Sequence, residues 1–253
     1  MSMLPTDEAT IAPKAAASSS PVQNTSAPNV VEGQISFGGE VIRKMIHFGS
    51  LSIPIGYFYV TKTTALQVLV PVMIFSLVVD LARHSVGPVK RVVDVLFKNI
   101  LRPHERESGL LSGATYVFIS ALFCVLVFPK LITITAFAIL IVSDASSALF
   151  GRAFGKHKFL DKSLEGTAAF IVTAWLVVLL SPKALQLPIE FVIGGVAAVV
   201  GGIAEAFSVT LHFDDNFSVP VSVGLTMWGL YYLLSVLNPA AYGALYSAML
   251  SMQ

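Results

Sequence analysis

The stretch LITITAFAILIVSDASSALF, residues 131–150, decides the fold class of this chain. Asp144 is its one charged side chain. About 20 helical residues are enough to cross the roughly 30 Å hydrocarbon layer of a bilayer. Because lipid offers the backbone no hydrogen-bond partners, a segment of this kind must satisfy its own polar groups as a helix. We therefore expect a transmembrane helix here.

The composition of the whole chain extends this expectation. Of its 253 residues, 55% are hydrophobic and 12% charged, and the mean hydropathy is +0.77. A typical soluble domain has about 25% charged residues. The chain thus holds more apolar side chains than one soluble core of this size would bury, which predicts an integral membrane protein.

Seven apolar segments have lengths near that of a membrane span, and none shows the alternation of a barrel strand. They are 41–60, 64–82, 109–128, 131–150, 166–181, 188–207 and 218–237. The fold predicted is an all-α, polytopic helix bundle with about seven transmembrane helices. A weakly apolar stretch, 240–252, fits either an interfacial turn or an eighth short helix.

Two further regions lie outside these spans. Residues 1–36 are rich in Ala, Ser, Pro and Thr without an apolar block, so we expect a disordered tail before a membrane domain over 37–253. The stretch 86–102 places valines and leucines at helical spacing, with basic residues elsewhere around the axis. It predicts an amphipathic helix, lying on the membrane surface or packing against the bundle.

The basic residues predict the orientation of the bundle. With seven spans, thirteen of the sixteen Lys and Arg residues fall on the side of the N-terminus and the even-numbered loops. Cytoplasmic loops of membrane proteins carry an excess of these residues. We therefore expect that side to be cytoplasmic. No nucleic-acid partner is expected.

A first polar cluster opens the first predicted span. Glu40, Arg43, Lys44 and His47 are spaced three and four residues apart, which places them on one helical face. Basic side chains at this depth can reach up to the lipid head groups. An acid and a histidine on the same face also fit a polar site, because a charge facing lipid is costly. Both interpretations stand.

A second cluster joins an acidic membrane residue to a basic loop. Asp144, Ser147 and Gly151 share a helical face of small residues. The basic residues that follow are Arg152, Lys156, Lys158 and Lys162. Ser163 and Glu165 then stand where they would cap the next helix. Capping and the positive-inside bias are one explanation, and a metal-bound polyphosphate, with the carboxylate on the ion, is the other.

The third cluster is acidic. Glu205 lies near the end of the sixth span, and Asp214, Asp215 and Asn216 lie in the following loop, which has no Lys or Arg. Divalent metal binding is one interpretation. Ordinary solvation, with Asp215 or Asn216 capping the next helix, is the other, and His212 fits an interfacial residue better than a ligand.

The three clusters, in this order, resemble the CTP-dependent lipid kinase family, which includes dolichol kinase, phytol kinase and CTP-dependent diacylglycerol kinase. The matching pieces are EVIRKMIH (40–47), SDASSALFGRAFGKHK (143–158), DKSLEG (161–166) and a segment from EA to DDNFSVP (205–220). The resemblance implies transfer of the γ-phosphate of CTP to a membrane lipid alcohol, with Mg²⁺ or another divalent cation. Diacylglycerol, phytol, a prenol and a polyprenol all remain open as the acceptor.

The resemblance, together with the needs of phosphoryl transfer, suggests roles for individual residues. Arg43, Lys44, Asp144 and Glu205 would be catalytic, and Asp144, Asp214 and Asp215 would hold the metal. The nucleotide would be bound by Gly151, Arg152, Lys156, Lys158, Lys162, Glu165 and Asn216. Residues 144–166 are also similar to phosphatidate cytidylyltransferases, but the later motifs of those enzymes are missing. A cytidylyltransferase-like enzyme and a non-enzymatic lipid transporter or scaffold remain the alternatives.

Overall fold

The computed structural model describes residues 37–97, 111–208, 210 and 214–252. The predicted disordered tail, 1–36, lies outside these residues, as do His212 and the end of the amphipathic segment. Within them the chain is mostly helical, which confirms the all-α prediction in its main feature.

Among the described residues, the chain forms helices and one small hairpin. The helices are α1 (Phe37–Gly49), α2 (Ser52–Tyr59), α3 (Lys62–Ser85), α4 (Gly87–Phe97), α5 (Gly113–Val127), α6 (Lys130–Phe154), α7 (Leu164–Leu180), α8 (Pro188–Ala206), α9 (Asp215–Leu237) and α10 (Pro239–Ser251). Strands β1 (Lys158–Phe159) and β2 (Lys162–Ser163) form an antiparallel hairpin between α6 and α7.

Four helices of the described residues are long and apolar enough to cross a membrane, which indicates a membrane protein. They are Lys62–Arg83 within α3, and α6, α8 and α9. The prediction of about seven spans is not supported. Helices α5 and α7 have 15 and 17 residues, and the first predicted span is divided into two short helices.

The division of the first segment has a local cause. Pro54 has no backbone N–H, and its ring would clash with the carbonyl four residues earlier, which belongs to Ser50. The Ser50 carbonyl accepts instead from Ile53 N at 2.9 Å, in a tighter turn. Helix α1 therefore ends at Gly49, and α2 starts three residues later.

Close contacts between small and large residues fix how α7, α8 and α9 pack. A Cβ added to Gly194, near the start of α8, would come within 2.5 Å of Val178, near the end of α7. At the other end of the pair, Gly201 lies beside Phe170. Helices α7 and α8 are therefore antiparallel neighbours, and the buried Glu190 of α8 meets Tyr231 of α9 at 3.1 Å.

The predicted amphipathic segment and the weakly apolar stretch 240–252 are both helical where the structure describes them. Helix α4 covers most of the predicted amphipathic segment, and its Lys90, Arg91, Val92 and Val95 are exposed. The stretch 240–252 is the helix α10, not an interfacial turn. The β hairpin between α6 and α7 was not predicted from the sequence.

Candidate functional site

The first part of the site is an ionic group between α1 and the end of α6. Glu40, only 4% exposed, pairs with Arg43 one turn along α1. Its second oxygen lies 3.7 Å from Arg152 Nη2. Burial opposes ionisation of Glu40, but the positive charges of Arg43, Lys44 and Arg152 outweigh it and hold the pKa of the carboxyl below its usual value. Glu40 is thus an anion that orients two guanidinium groups.

The second part joins the next turn of α1 to the middle of α6. Lys44 Nζ contacts Asp144 Oδ2, and both side chains are almost fully buried. His47 Nε2 lies 3.6 Å from the same carboxylate oxygen. On the predicted shared face, Lys44 and His47 therefore turn inward, toward Asp144, while Arg43 pairs with Glu40.

The third part is brought in by the hairpin. Lys162 Nζ contacts Glu205 Oε1 and lies 3.6 Å from Asp215 Oδ2. Burial alone would lower the pKa of Lys162, but the negative charges of Asp215, Glu205 and Asp144 outweigh it and raise that pKa. Lys162 is therefore a stable cation among three carboxylates from three helices.

A hydroxyl of α6 links the second and third parts. Ser147 Oγ donates to Glu205 Oε1 at 3.1 Å, one turn along α6 from Asp144. The three parts thus form one buried polar cluster, which we call the ionic cluster. Its members are Glu40, Arg43, Lys44, His47, Asp144, Ser147, Arg152, Lys162, Glu205 and Asp215.

Three atoms of the ionic cluster are buried without a hydrogen-bond partner among the described residues. They are Arg43 Nε, His47 Nε2 and Glu205 Oε2. Buried polar atoms are nearly always satisfied, because leaving one unpaired costs about 1–3 kcal/mol. A donor and an acceptor left open in this way are what a polar ligand would satisfy.

The residue that caps α9 differs from the two predicted from the sequence. Asp214, not Asp215 or Asn216, is the N-cap of α9, and its Oδ1 accepts from Asn216 N at 2.9 Å and Asn216 Nδ2 at 2.7 Å. Asp215 is the residue of this loop that meets Lys162. The predicted capping role thus belongs to the first of the three positions.

Gly151 has a clear packing role. The Cα of Gly166 in α7 would lie 3.5 Å from a Cβ added at Gly151, and Ser163 Oγ would lie 3.0 Å from it. Ser163 is the N-cap of α7, as expected, with Gly166 N donating to its Oγ at 3.1 Å. Gly151 therefore lets α6 and α7 approach closely, which places the hairpin beside α6.

The remaining predicted nucleotide-binding residues lie outside the ionic cluster. Lys156 and Lys158 are solvent-exposed. Glu165 Oε1 lies 2.7 Å from Nδ1 of the exposed His157. Lys156 and Glu165 line an open cavity of about 370 Å³ at the end of α6, together with Ala153, Phe154 and Gly155.

The carboxylates of the ionic cluster are the candidate ligands for a divalent cation. Among residues 37–97, 111–208, 210 and 214–252, no group of three or more His, Cys, Asp or Glu side chains is arranged to hold a metal ion. Mg²⁺ commonly takes only one or two protein carboxylates and completes its shell with waters and substrate phosphates. The carboxylates of Asp144 and Asp215 would supply the one or two protein ligands of that mode.

Sequence reasoning missed two elements of this arrangement. The hairpin that delivers Lys162 has only two residues in each strand, too few for a pattern. Asp161, at its turn, was not singled out, although it contacts the segment after α8. A polar residue between a hydrophobic turn residue and a lysine gives no periodic signal.

Comparison with known proteins gives a distant relative. No family model and no solved structure matches the chain. It is 28% identical over 199 residues to an uncharacterized protein of Rickettsia prowazekii (strain Madrid E). The match covers 78% of this chain and 98% of the relative.

Proposed function

We propose that this protein is a CTP-dependent kinase that phosphorylates the hydroxyl of a membrane lipid alcohol. The observation that carries the proposal is the ionic cluster, whose buried acids and bases come from α1, α6, β2, α8 and α9. Burying so many charges costs free energy, and charged groups inside a membrane bundle usually mark a functional site. The ordered sequence motifs that resemble the CTP-dependent lipid kinases supply residues in all five of those elements.

The cations of the cluster suit phosphoryl transfer. That reaction depends on in-line placement and on neutralisation of charge at the phosphate oxygens, with little covalent chemistry for the protein to do. Arg43, Lys44, Arg152 and Lys162 would supply the positive charge. The open Nε of Arg43 would donate to a phosphate oxygen, which supports placing this residue at the transferring group.

The carboxylates would divide between metal binding and proton transfer. Asp144 and Asp215 would hold a divalent cation, with Asp214 fixing the start of α9 beside it. When bound, the cation would neutralise the charge of the nucleotide phosphates and orient them. Glu205, whose Oε2 is open, would accept the proton of the lipid hydroxyl.

The apolar face of α1 supports a lipid acceptor. Ile42, Met45 and Ile46 are 52%, 67% and 53% exposed, on the side of the helix away from Lys44. Acyl or prenyl chains would pack on this face while the hydroxyl reached the cluster at head-group depth. Helix α4, with exposed Lys90 and Arg91, would lie along the same membrane surface.

In this proposal the cluster faces the cytoplasm, because the basic residues Arg152, Lys156 and Lys158 lie at the same end of α6 and cytoplasmic loops carry an excess of Lys and Arg. CTP is a soluble cytosolic anion, so a site that opens to that side would receive it directly. The short helices α5 and α7 would complete the bundle between the longer helices.

Nucleotide-dependent stabilisation tests the proposal. Purified protein in detergent should unfold at a higher temperature with CTP and Mg²⁺ than with Mg²⁺ alone, because a ligand at 100 times its Kd stabilises by about 2.7 kcal/mol. ATP and GTP at the same concentration are the controls for nucleotide specificity. The Lys162→Met variant, which lacks one phosphate-binding cation, should gain less. If CTP with Mg²⁺ gives the wild type no shift, the proposed function loses its support.

A further inference from the structure

The hairpin that carries Lys162 has an unfavourable turn. Pairing of Lys158 with Ser163 and of Phe159 with Lys162 leaves Leu160 and Asp161 as a two-residue turn. Leu160 has φ +53°, in the left-handed region that favours glycine. A non-glycine residue held there persists only when the surrounding structure imposes the conformation. Something other than the turn sequence must hold this hairpin in place.

Asp161 makes the contacts that hold it. Its Oδ2 accepts from Thr210 N at 2.7 Å, and its Oδ1 accepts from Thr210 Oγ1 at 2.9 Å. Its own backbone N donates to the carbonyl of Ala206, the last residue of α8, at 3.1 Å. Three hydrogen bonds thus join the turn to Ala206, at the end of α8, and to Thr210, which follows it.

This connection determines where Lys162 lies. Lys162 follows Asp161 directly, and Glu205 precedes Ala206, so the turn and the end of α8 are joined one residue away from the Lys162–Glu205 pair. A side chain as flexible as lysine loses considerable rotamer freedom when it is held in one place. Because the backbone at Asp161 is fixed to the end of α8, the Lys162 side chain has less conformational freedom left to lose when it pairs with Glu205.

We propose that Asp161 is a positioning residue, which clamps the hairpin to the end of α8 and thereby holds the Lys162 ammonium group against Glu205 and Asp215. Its effect on turnover rests on the proposed kinase function. Its effect on the position of Lys162 does not, and the two are measured separately.

Chemical modification of Lys162 tests the clamp directly. The intact protein in detergent is treated with an amine-acylating reagent, and the rate of modification of each lysine is followed by mass spectrometry. In Asp161→Ala, Lys162 should react about tenfold faster, because loss of two side-chain hydrogen bonds shifts the docked equilibrium by roughly that factor. Lys62, which donates to the carbonyl of Leu126 near the end of α5, is the internal reference.

A matched control separates the clamp from general loosening. Glu190→Gln perturbs a comparable loop clamp, which holds residues 184–187 and the left-handed Gln186. Glu190 lies fifteen residues before Glu205 in α8, which is about 22 Å along the helix. Lys162 should react at the wild-type rate in that variant. Equal rates in Asp161→Ala and wild type, or equally raised rates in both variants, would overturn the clamp.

Steady-state kinetics test the consequence for catalysis. Asp161→Ala should lower kcat by about 10–100-fold while the KM for CTP changes less, since a displacement of about 1 Å is sufficient for such a loss. Thr210→Val, which keeps the backbone donor, should show a smaller change in the same direction, and it serves if Asp161→Ala does not fold. An unchanged kcat in a variant with fast Lys162 modification would overturn the positioning role. A wild type with no transferase activity would instead refute the proposed function, and the modification rates would still decide the clamp.

Discussion

Removal of the Lys44 ammonium group is the perturbation with the clearest magnitude. Lys44 is 2% exposed and Asp144 is 3% exposed, and the two are in direct contact. Lys44→Met keeps a chain of similar length but leaves the Asp144 carboxylate without its nearest cation. His47, 3.6 Å away, is the other basic group beside that oxygen.

The expected cost follows from the burial of both partners. Removing one partner of a buried ion pair costs about 3–5 kcal/mol, because the remaining charge is left uncompensated. For a domain of about 200 residues, each kcal/mol changes the melting temperature by about 2–4 °C. We therefore expect Lys44→Met to melt about 6–20 °C below the wild type.

Thermal unfolding in a single detergent, followed by circular dichroism, measures this change. Lys90→Met is the matched control, because Lys90 is exposed on α4 and its loss should change the melting temperature by little. The double variant Lys44→Met/Asp144→Asn removes the stranded charge, so it should be more stable than Lys44→Met. A Lys44→Met variant within about 1 kcal/mol of wild type would refute the buried pair. A double variant that is no more stable than Lys44→Met would refute it as well.

Three further predictions concern stability elsewhere in the chain. A Cβ added at Gly155 would lie 2.2 Å from the carbonyl oxygen of Gly151. Thermal unfolding should therefore show Gly155→Ala to be less stable than the wild type by about 1–3 kcal/mol. Gly56→Ala is the control, because Gly56 has open space around it and the change should not destabilise the protein. The pKa of Glu40 is lowered in the folded protein, so the ionised carboxylate contributes its full stabilisation above the ordinary pKa of 4.5 and loses it as the pH falls below that value. In pH-dependent melting curves, Glu40→Gln should therefore lose less stability than the wild type over this acidic range. Equal losses in the two proteins would contradict this. Tyr231→Phe removes the hydroxyl donor to Glu190 and should cost about 1 kcal/mol, which an unchanged melting temperature would contradict.

Much of the helical layout was predictable because a helix in lipid leaves a continuous apolar signal. The boundaries of α8 agree with the predicted segment within a residue, since Pro188 and Glu190 mark its start. The number of spans was not predictable in the same way. Apolar composition alone does not register the break that Pro54 introduces, nor does it show that α5 has only 15 residues.

The polar residues of the site were predictable as types, but their partners were not. The spacing of Lys44 and His47 does place them on one face, and both side chains are directed to Asp144. The pairing of Lys162 with Glu205 depends on a hairpin and on residues 43 positions apart. No local pattern encodes such a contact, because it arises from the packing of α6, α7 and α8.

The structure gives Gly151 and Asp214 packing and capping roles in addition to those predicted from the sequence. Gly151 contacts Gly166 across a helix pair, so its small size serves the approach of α6 to α7. Asp214 caps α9, a role that the sequence suggested for its neighbours. Both residues border the ionic cluster, and a change at either would act on it through the position of a helix.

The transfer of label from CTP to lipid tests the central claim most directly. Purified protein is incubated with Mg²⁺, a panel of lipid alcohols (diacylglycerol, phytol, a short prenol and a polyprenol) and CTP labelled at either the γ- or the α-phosphate. We expect the γ label to appear in one of the lipids and the α label to remain in the nucleotide, with no transfer by the folded Asp144→Asn variant. Label from the α position in the lipid would instead indicate a cytidylyltransferase, and no lipid labelling from either position would contradict the proposed function.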